Sequence, residues 1–141
     1  MTEPQITISD GPDKESEAAI LSALKAYNVE RFGPSDWREL VISLRNAEGI
    51  VTGGLSGHTA RGWLYTSLLF IPEEMRGQGL GPKLLAMAED EARKRGCRGA
   101  YIDTMNPDAL AIYQACGYEI FGQIEGFTET TALTYLKKPL A

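Results

Sequence analysis

The feature that most constrains the fold of this chain is a glycine-rich turn between an apolar segment and an amphipathic helix. Residues 63–71 are apolar on both alternating faces, which predicts a central β-strand. Apolar residues recur every four positions over residues 79–95, which predicts a helix. The turn between these elements carries glycines at positions 77, 79 and 81. Because N–H groups at a helix start are unpaired, this order of elements is typical of an anion-binding site.

Hydrophobic periodicity and turn residues divide the rest of the chain into further elements. Alternating patterns predict strands at residues 5–9, 38–45, 50–58, 100–104, 118–124 and 132–137. Helical patterns with capping residues predict helices at residues 13–31 and 106–117. This order indicates an α/β fold with a mixed sheet. On the helix at 79–95, three acid–base pairs at i, i+4 are predicted to lie on the outer face: Glu89–Arg93, Asp90–Lys94 and Glu91–Arg95.

Composition excludes several functional classes. The net charge of −5 argues against nucleic-acid binding and favours a cationic substrate. No apolar run approaches the roughly 20 residues of a bilayer span, so we expect no membrane anchor. The two cysteines, Cys97 and Cys116, lack metal-ligand spacing, and the first residues lack the features of a secretory signal. We therefore expect a cytoplasmic protein that uses no metal.

The spacing of the glycines excludes two common kinds of nucleotide-binding loop. A P-loop needs Gly-Lys-Ser/Thr after four intervening residues, and the chain has none. A dinucleotide loop needs G-x-G-x-x-G, but counting from Gly77 the last position is Pro82, and counting from Gly79 finds no third glycine. Arg76 would add local positive charge at the turn, which the net charge of −5 does not provide. The alternative is a turn that only reverses the chain.

Two segments on either side of the helix at 79–95 carry a family pattern. The first runs over residues 70–81 and contains Arg76-Gly77-Gln78-Gly79-Leu80-Gly81, which fits Arg/Gln-x-x-Gly-x-Gly. The second is Asn106-x-x-Ala109-x-x-x-Tyr113-x-x-x-Gly117-Tyr118. On these motifs the chain resembles the GNAT superfamily of N-acetyltransferases. The resemblance implies a single acetyltransferase domain over residues 1–141, with a central, mixed, mostly antiparallel sheet of six to seven strands flanked by about four helices.

The resemblance also implies acetyl-CoA as co-substrate and no metal. In relatives the glycine-rich loop wraps the CoA pyrophosphate, and the pantetheine arm pairs with the preceding strand, which splays from the next one. A backbone N–H near Leu69 would stabilise the oxyanion. Carried to this sequence, the cofactor-binding residues are Leu69, Phe70, Ile71, Arg76, Gly77, Gln78, Gly79, Leu80, Gly81, Pro82 and Asn106.

Tyr113 matches the position that relatives commonly use as general acid toward the departing thiolate. A phenol pKa of about 10 lies above a thiol pKa of about 8.5, so we expect a hydrogen-bond stabiliser that donates as charge grows. The alternative is a half-buried helix tyrosine that bonds to any convenient partner. Asn106 would either bond to the pantetheine arm or cap the helix that follows it.

The general base is left unassigned. Relatives often carry a carboxylate on the strand before the loop, yet residues 65–69 contain none. Asp103, on the neighbouring strand, would bind the amine or relay its proton, or else bond to a local backbone N–H. Tyr65 is a second candidate for substrate binding, although core packing explains it equally well. His58, the only histidine, is predicted to lie on the surface at a hairpin tip.

The predicted function is therefore that of an N-acetyltransferase. It would transfer an acetyl group from acetyl-CoA to an amine of a small molecule, amino acid or peptide. A non-catalytic acyl-CoA-binding or sensing module is the alternative, and Tyr113 favours the enzyme because a pure binder has no reason to keep a hydroxyl at the thiol. We expect no nucleic-acid or membrane partner. Homodimerisation is a family-level expectation.

Overall fold

The computed structural model describes residues 3–141, which separate into two compact units, one ending at Ser35 and one starting at Asp36. These residues contain three α-helices, one 3₁₀ turn and six strands. The helical elements are α1 (Lys14–Phe32), the 3₁₀ turn (Glu73–Met75), α2 (Leu80–Lys94) and α3 (Pro107–Ala115). The strands are β1 (Arg38–Arg45), β2 (Val51–Ala60), β3 (Trp63–Phe70), β4 (Gly99–Thr104), β5 (Glu119–Ile124) and β6 (Leu133–Pro139).

The first unit consists of α1 and the residues around it. Asp13 caps the helix, because its carboxylate accepts a hydrogen bond from the N–H of Ser16 at 3.0 Å. The strand predicted at residues 5–9 is wrong, since these residues form no strand and Ile6 and Ile8 are 87% and 96% exposed. An alternating pattern forms a stable strand only where neighbouring strands supply pairing and a surface to cover.

The second unit is built on one six-stranded sheet with the order β1-β2-β3-β4-β6-β5. Every neighbouring pair is antiparallel except β3 with β4, which is parallel. The predicted mixed, mostly antiparallel sheet is confirmed, with six strands and three α-helices in place of the expected six to seven strands and about four helices. A parallel pair needs a crossover connection, and the glycine-rich turn with α2 provides it.

The core lies between α2 and one face of this sheet. Leu64 of β3, Ala100 of β4 and Leu136 of β6 have no exposed surface, and Leu85 and Ala88 of α2 belong to the same buried cluster. Burying a leucine side chain contributes about 2 kcal/mol. Because successive side chains of a strand alternate, the residues next to these face the opposite side of the sheet.

The prediction that Glu89 lies on the outer face of α2, paired with Arg93, is wrong. Its side chain is buried, and its carboxylate accepts hydrogen bonds from Nζ of Lys138 at 2.7 Å and from the hydroxyl of Tyr118 at 3.0 Å. Of the three predicted i, i+4 pairs only Glu91–Arg95 forms, at 2.9 Å. Helical spacing did not reveal this, because the partners of Glu89 come from β6 and from Tyr118, the residue before β5.

The helices and the cysteines bear on the predictions made from composition. Over residues 3–141, none of the helices combines the length and apolar character that a membrane span would need. Cys97 and Cys116 are both free thiols. The single domain over residues 1–141 stays a prediction.

Candidate active site

The site begins where two neighbouring strands separate. The parallel pairing of β3 with β4 ends at Thr66 and Ile102. On its other side β3 stays paired with β2 as far as Phe70, and a register shift makes Ser67 an extra residue on β3. Such bulges bend a strand and end its pairing with a neighbour. The backbone of β3 beyond Thr66 therefore has no partner on β4, as the resemblance implies.

The glycine-rich turn leads directly into α2. Gly77 and Gly79 have φ angles of 79° and 72°, a left-handed conformation that glycine adopts without steric penalty. Gly79 is the N-cap of α2, and no side chain caps this helix. The first N–H groups of the helix are therefore available, and the helix dipole adds partial positive charge at the same end. This arrangement suits an anion.

A cavity of about 560 Å³ lies between the turn, the end of β3 and α3. Ligand pockets commonly measure about 300–1,000 Å³. The cavity is lined by ten of the predicted cofactor residues: Leu69, Phe70, Ile71, Arg76, Gly77, Gly79, Leu80, Gly81, Pro82 and Asn106. Tyr113 also lines it, whereas Gln78, Tyr65 and Asp103 do not. Four lining residues were not predicted: Met75, Asp108, Ala109 and Ile112.

Arg76 is held at the edge of this cavity by contacts with the end of β3. Its Nε donates a hydrogen bond to the carbonyl oxygen of Ile71 at 2.9 Å. Its guanidinium lies over the ring of Phe70, 5.8 Å from the centroid. A stacked and hydrogen-bonded guanidinium is already oriented before it meets an anion. Arg76 therefore places a fixed positive charge beside the start of α2.

Three residues of the second motif line the cavity: Asn106, just before α3, and Ala109 and Tyr113 within it. Tyr113 is 6% exposed, and burial, together with the negative charge of Asp103, raises the pKa of its hydroxyl above the ordinary value. The hydroxyl is therefore protonated at neutral pH and able to donate. Asn106 caps α3, because its Oδ1 accepts a hydrogen bond from the N–H of Asp108 at 2.9 Å. The capping alternative is thus realised, and the same side chain lines the cavity.

The two predicted substrate-binding residues meet just past the point where the strands separate. Asp103 is the first residue of β4 beyond its last pair with β3. Its carboxylate accepts a hydrogen bond from the hydroxyl of Tyr65 at 2.6 Å. Burial and this hydrogen bond raise the pKa of Tyr65. Within residues 3–141 Asp103 has no ion-pair partner.

His58 lies within β2, so its predicted place at a hairpin tip is wrong. β2 runs on to Ala60, and the turn is formed by Arg61 and Gly62, whose φ angles are 52° and 82°. Two residues with positive φ are typical of a tight hairpin, and this turn sets His58 opposite Tyr65. The pair Arg61-Gly62, a two-residue turn that ends in glycine, was the sequence signal that could have placed His58 within the strand before it.

Aromatic side chains around His58 form a cluster that the sequence did not predict. The imidazole stacks on the ring of Trp37 with centroids 3.6 Å apart, and burial lowers the pKa of His58. Tyr65 stacks on Tyr101 with centroids 4.7 Å apart. Within the described residues, no group of three or more His, Cys, Asp or Glu side chains is arranged to hold a metal ion.

Comparison with known proteins identifies the family. The profile of the Acetyltransferase (GNAT) family matches residues 14–118. The chain belongs to this family. The resemblance inferred from the two motifs is confirmed, and so is the prediction of an enzyme that is an acetyltransferase. The chain is also 60% identical to the acetyltransferase Atu2258 of Agrobacterium fabrum over 131 residues, which are 93% of this chain and 96% of that protein.

Solved structures match the fold of this GNAT acetyltransferase. A crystal structure from Agrobacterium tumefaciens has a TM-score of 0.93 and 57% identity, and the match covers 96% of this chain and 99% of that one. A Bacillus anthracis structure solved in complex with acetyl coenzyme A has a TM-score of 0.62 and 18% identity, and the match covers 72% of this chain and 62% of that one. At that identity the likeness shows the fold alone.

Proposed function

We propose that this GNAT acetyltransferase transfers an acetyl group from acetyl-CoA to an amine of a small molecule, amino acid or peptide. The observation that carries the proposal is the uncapped start of α2 facing one cavity with the separated end of β3. Acetyl-CoA, when bound, supplies the acetyl group as a thioester. The Bacillus anthracis structure, which contains acetyl coenzyme A on the same fold, supports this choice of co-substrate.

The space around Gly81 shows whether the glycine-rich turn could hold a phosphate group. Its φ is not positive, and a Cβ atom at this position would meet no atom within 4 Å. Neither conformation nor packing therefore requires glycine, although glycine in a helix is about 0.5–1 kcal/mol less stable than alanine. Because Gly81 lines the cavity, a side chain there would take up part of its volume. A group that binds close to the backbone accounts for the glycine.

The backbone of the chain has two roles in this proposal. The N–H groups of the glycine-rich turn, helped by Arg76, would hold the pyrophosphate of the co-substrate. The separated end of β3 together with the residue after it, Leu69 to Ile71, would pair with the amides of the pantetheine arm as a sheet edge pairs with an added strand. An N–H near Leu69 would donate to the acetyl oxygen as negative charge develops on it.

Tyr113 would donate a hydrogen bond to the departing thiolate. Burial and the charge of Asp103 raise its pKa, so the hydroxyl keeps its proton at neutral pH. Full proton transfer would be unfavourable, because a thiol with a pKa of about 8.5 is a stronger acid than the phenol. Tyr113 therefore acts by stabilising negative charge on sulfur.

Asp103 and Tyr65 would bind the acceptor amine. Asp103 is half-buried and has no ion-pair partner within residues 3–141, so its carboxylate is available to an ammonium group. The overall charge of −5 also attracts a cationic acceptor. The general base is not assigned. Gln78 as a cofactor residue, homodimerisation and a cytoplasmic location stay predictions.

Release of free thiol from acetyl-CoA in the presence of a panel of amines tests the function. We expect Tyr113→Phe to lower kcat at least about tenfold with little change in the Kd of acetyl-CoA, because only the charge formed during reaction is affected. Tyr27→Phe makes the same change at an exposed position and serves as control. Unchanged turnover would remove Tyr113 from the mechanism.

Binding separates the two functional alternatives. We expect millimolar acetyl-CoA to raise the Tm, while ATP and NAD do not. No rise in Tm and no thiol release would overturn the proposed function. A rise in Tm without thiol release for any amine would favour the non-catalytic acyl-CoA-binding module.

A further inference from the structure

Four aromatic side chains form a continuous row on the face of the sheet opposite the α2 core. Trp37 stacks on His58, with centroids 3.6 Å apart and 17° between the ring planes. His58 meets Tyr65 edge-on at 5.8 Å, and Tyr65 stacks on Tyr101 at 4.7 Å. We call these four residues the ring row. Trp37 is 54% exposed and the other three are half-buried, so the row is accessible.

The ring row ends at the carboxylate of Asp103. The hydroxyl of Tyr65 donates to Asp103 at 2.6 Å. Tyr101 precedes Asp103 by two positions on β4, and Tyr135 is its register partner on β6, so all three side chains share one face. Burial raises the pKa of Tyr101, and the negative charge of Asp103 contributes to the rise. Three phenol side chains, those of Tyr65, Tyr101 and Tyr135, thus share one face of the sheet with this carboxylate.

No cation of the described chain neutralises this carboxylate. Within residues 3–141 the ion pairs use other acids. Lys137 is opposite Tyr101 on β6, but its ammonium lies over the ring of Phe121, 5.7 Å from the centroid. Burial lowers the pKa of His58, which favours its neutral form. A carboxylate that is partly removed from water and unpaired favours a cation from outside the chain.

We infer that the ring row and Asp103 form the acceptor site, and that the acceptor is a cationic amine attached to a planar, aromatic group. The carboxylate would pair with the ammonium, and the ring faces would stack on the planar group and attract the cation. Asp103 is the first β4 residue past the separation of β3 and β4, so the ammonium would be held beside the gap. This inference rests on the proposed function.

Phenethylamine and phenethyl alcohol test the inference, because the two molecules share a ring and differ in charge. Calorimetric titration into the wild-type chain needs no acetyl-CoA and no turnover. We expect millimolar or tighter binding of the amine, and binding of the alcohol weaker by at least about tenfold. Equal affinity for the two molecules, or no binding of the amine at millimolar concentration, would overturn the inference.

Substitutions assign the binding to named residues. Asp103→Asn should weaken binding of phenethylamine at least about tenfold and leave the alcohol unchanged. Asp90→Asn removes the same charge from an exposed position on α2 and should leave both affinities unchanged. Tyr101→Leu should weaken phenethylamine several-fold and propylamine much less, because only the first molecule carries a ring. Unchanged binding of phenethylamine to either Asp103→Asn or Tyr101→Leu contradicts the site.

The rise in Tm with acetyl-CoA, measured on the same proteins, separates this inference from the proposed function. A normal rise without binding of the amine overturns the acceptor site and leaves the proposed function standing. Absence of the rise in the wild-type chain overturns the proposed function itself.

Discussion

Two glycines of the sheet, Gly57 and Gly99, differ from the glycines before α2 in what surrounds them, although all of them look alike in the sequence. In the sheet, a Cβ atom at Gly57 would overlap the carbonyl oxygen of Tyr65, and one at Gly99 would overlap the ring of Trp63. These glycines allow strands and side chains of the folded chain to approach each other closely. Their presence is explained by atoms that the chain itself supplies.

The turn before α2 shows the opposite situation. No atom lies within 4 Å of a Cβ atom placed at Gly77, Gly79 or Gly81. Left-handed φ angles account for the first two, but nothing in the folded chain accounts for the third. An enclosed glycine is thus explained by packing, whereas an open glycine without a conformational requirement is not, and at Gly81 the adjoining cavity points to a ligand. Counting glycines in the sequence does not separate the two.

Gly57→Ala should cause the largest loss of stability among the three glycine substitutions. The new methyl group would collide with backbone of β3, which cannot rotate away, so we expect the free energy of unfolding to fall by about 3 kcal/mol. Urea unfolding monitored by circular dichroism measures this change. A fall of less than about 1 kcal/mol would mean that the sheet relaxes easily around the new methyl group and that close packing does not require glycine at position 57.

Gly81→Ala should have a smaller effect, with opposite signs on stability and on binding. Alanine is the better helix former, so the free energy of unfolding should stay equal or rise by up to about 1 kcal/mol. The methyl group would stand where the pyrophosphate is proposed to lie, so affinity for acetyl-CoA should fall at least about tenfold. Calorimetric titration and urea unfolding of the same protein give both values. If both Gly81→Ala and Gly81→Val bind acetyl-CoA with unchanged affinity, the co-substrate does not bind at this turn.

Gly122→Ala should have the smallest effect and serves as the control for both. Gly122 lies on β5, away from the cavity, and a Cβ atom there would meet nothing within 4 Å. We expect a change of less than about 1 kcal/mol in the free energy of unfolding and no change in acetyl-CoA affinity. A loss of affinity in this variant would show that open glycines affect binding indirectly.

Much of the fold followed from local patterns. The alternating residues of β1 and the four-residue repeat of α2 each bury one face, so periodicity located both elements closely. Asp13 and Asn106 cap the helices that they were expected to begin. The predicted cofactor residues stay a prediction, yet all except Gln78 line one cavity. Those of the first motif do so because they follow a single strand, turn and helix, whereas Asn106 reaches the cavity from the start of α3.

Non-local contacts account for what could not be predicted. Residues 5–9 alternate like a strand and form none, since a strand also needs a neighbour. His58 belongs to the ring row only because the hairpin turn sets its register against Tyr65. Trp37 joins the row through a contact with His58 that no sequence spacing indicates.

The sequence by itself determined the glycine-rich turn and the helix start after it, because consecutive residues set both. The tertiary structure alone decided the surroundings of the charged groups. The buried Glu89 pairs with Lys138, which is 49 positions away, and Asp103 accepts a hydrogen bond from the hydroxyl of Tyr65, which is 38 positions away. Backbone conformation at a turn is a local property, whereas burial and pairing of a charge depend on which distant strands the sheet register brings beside it.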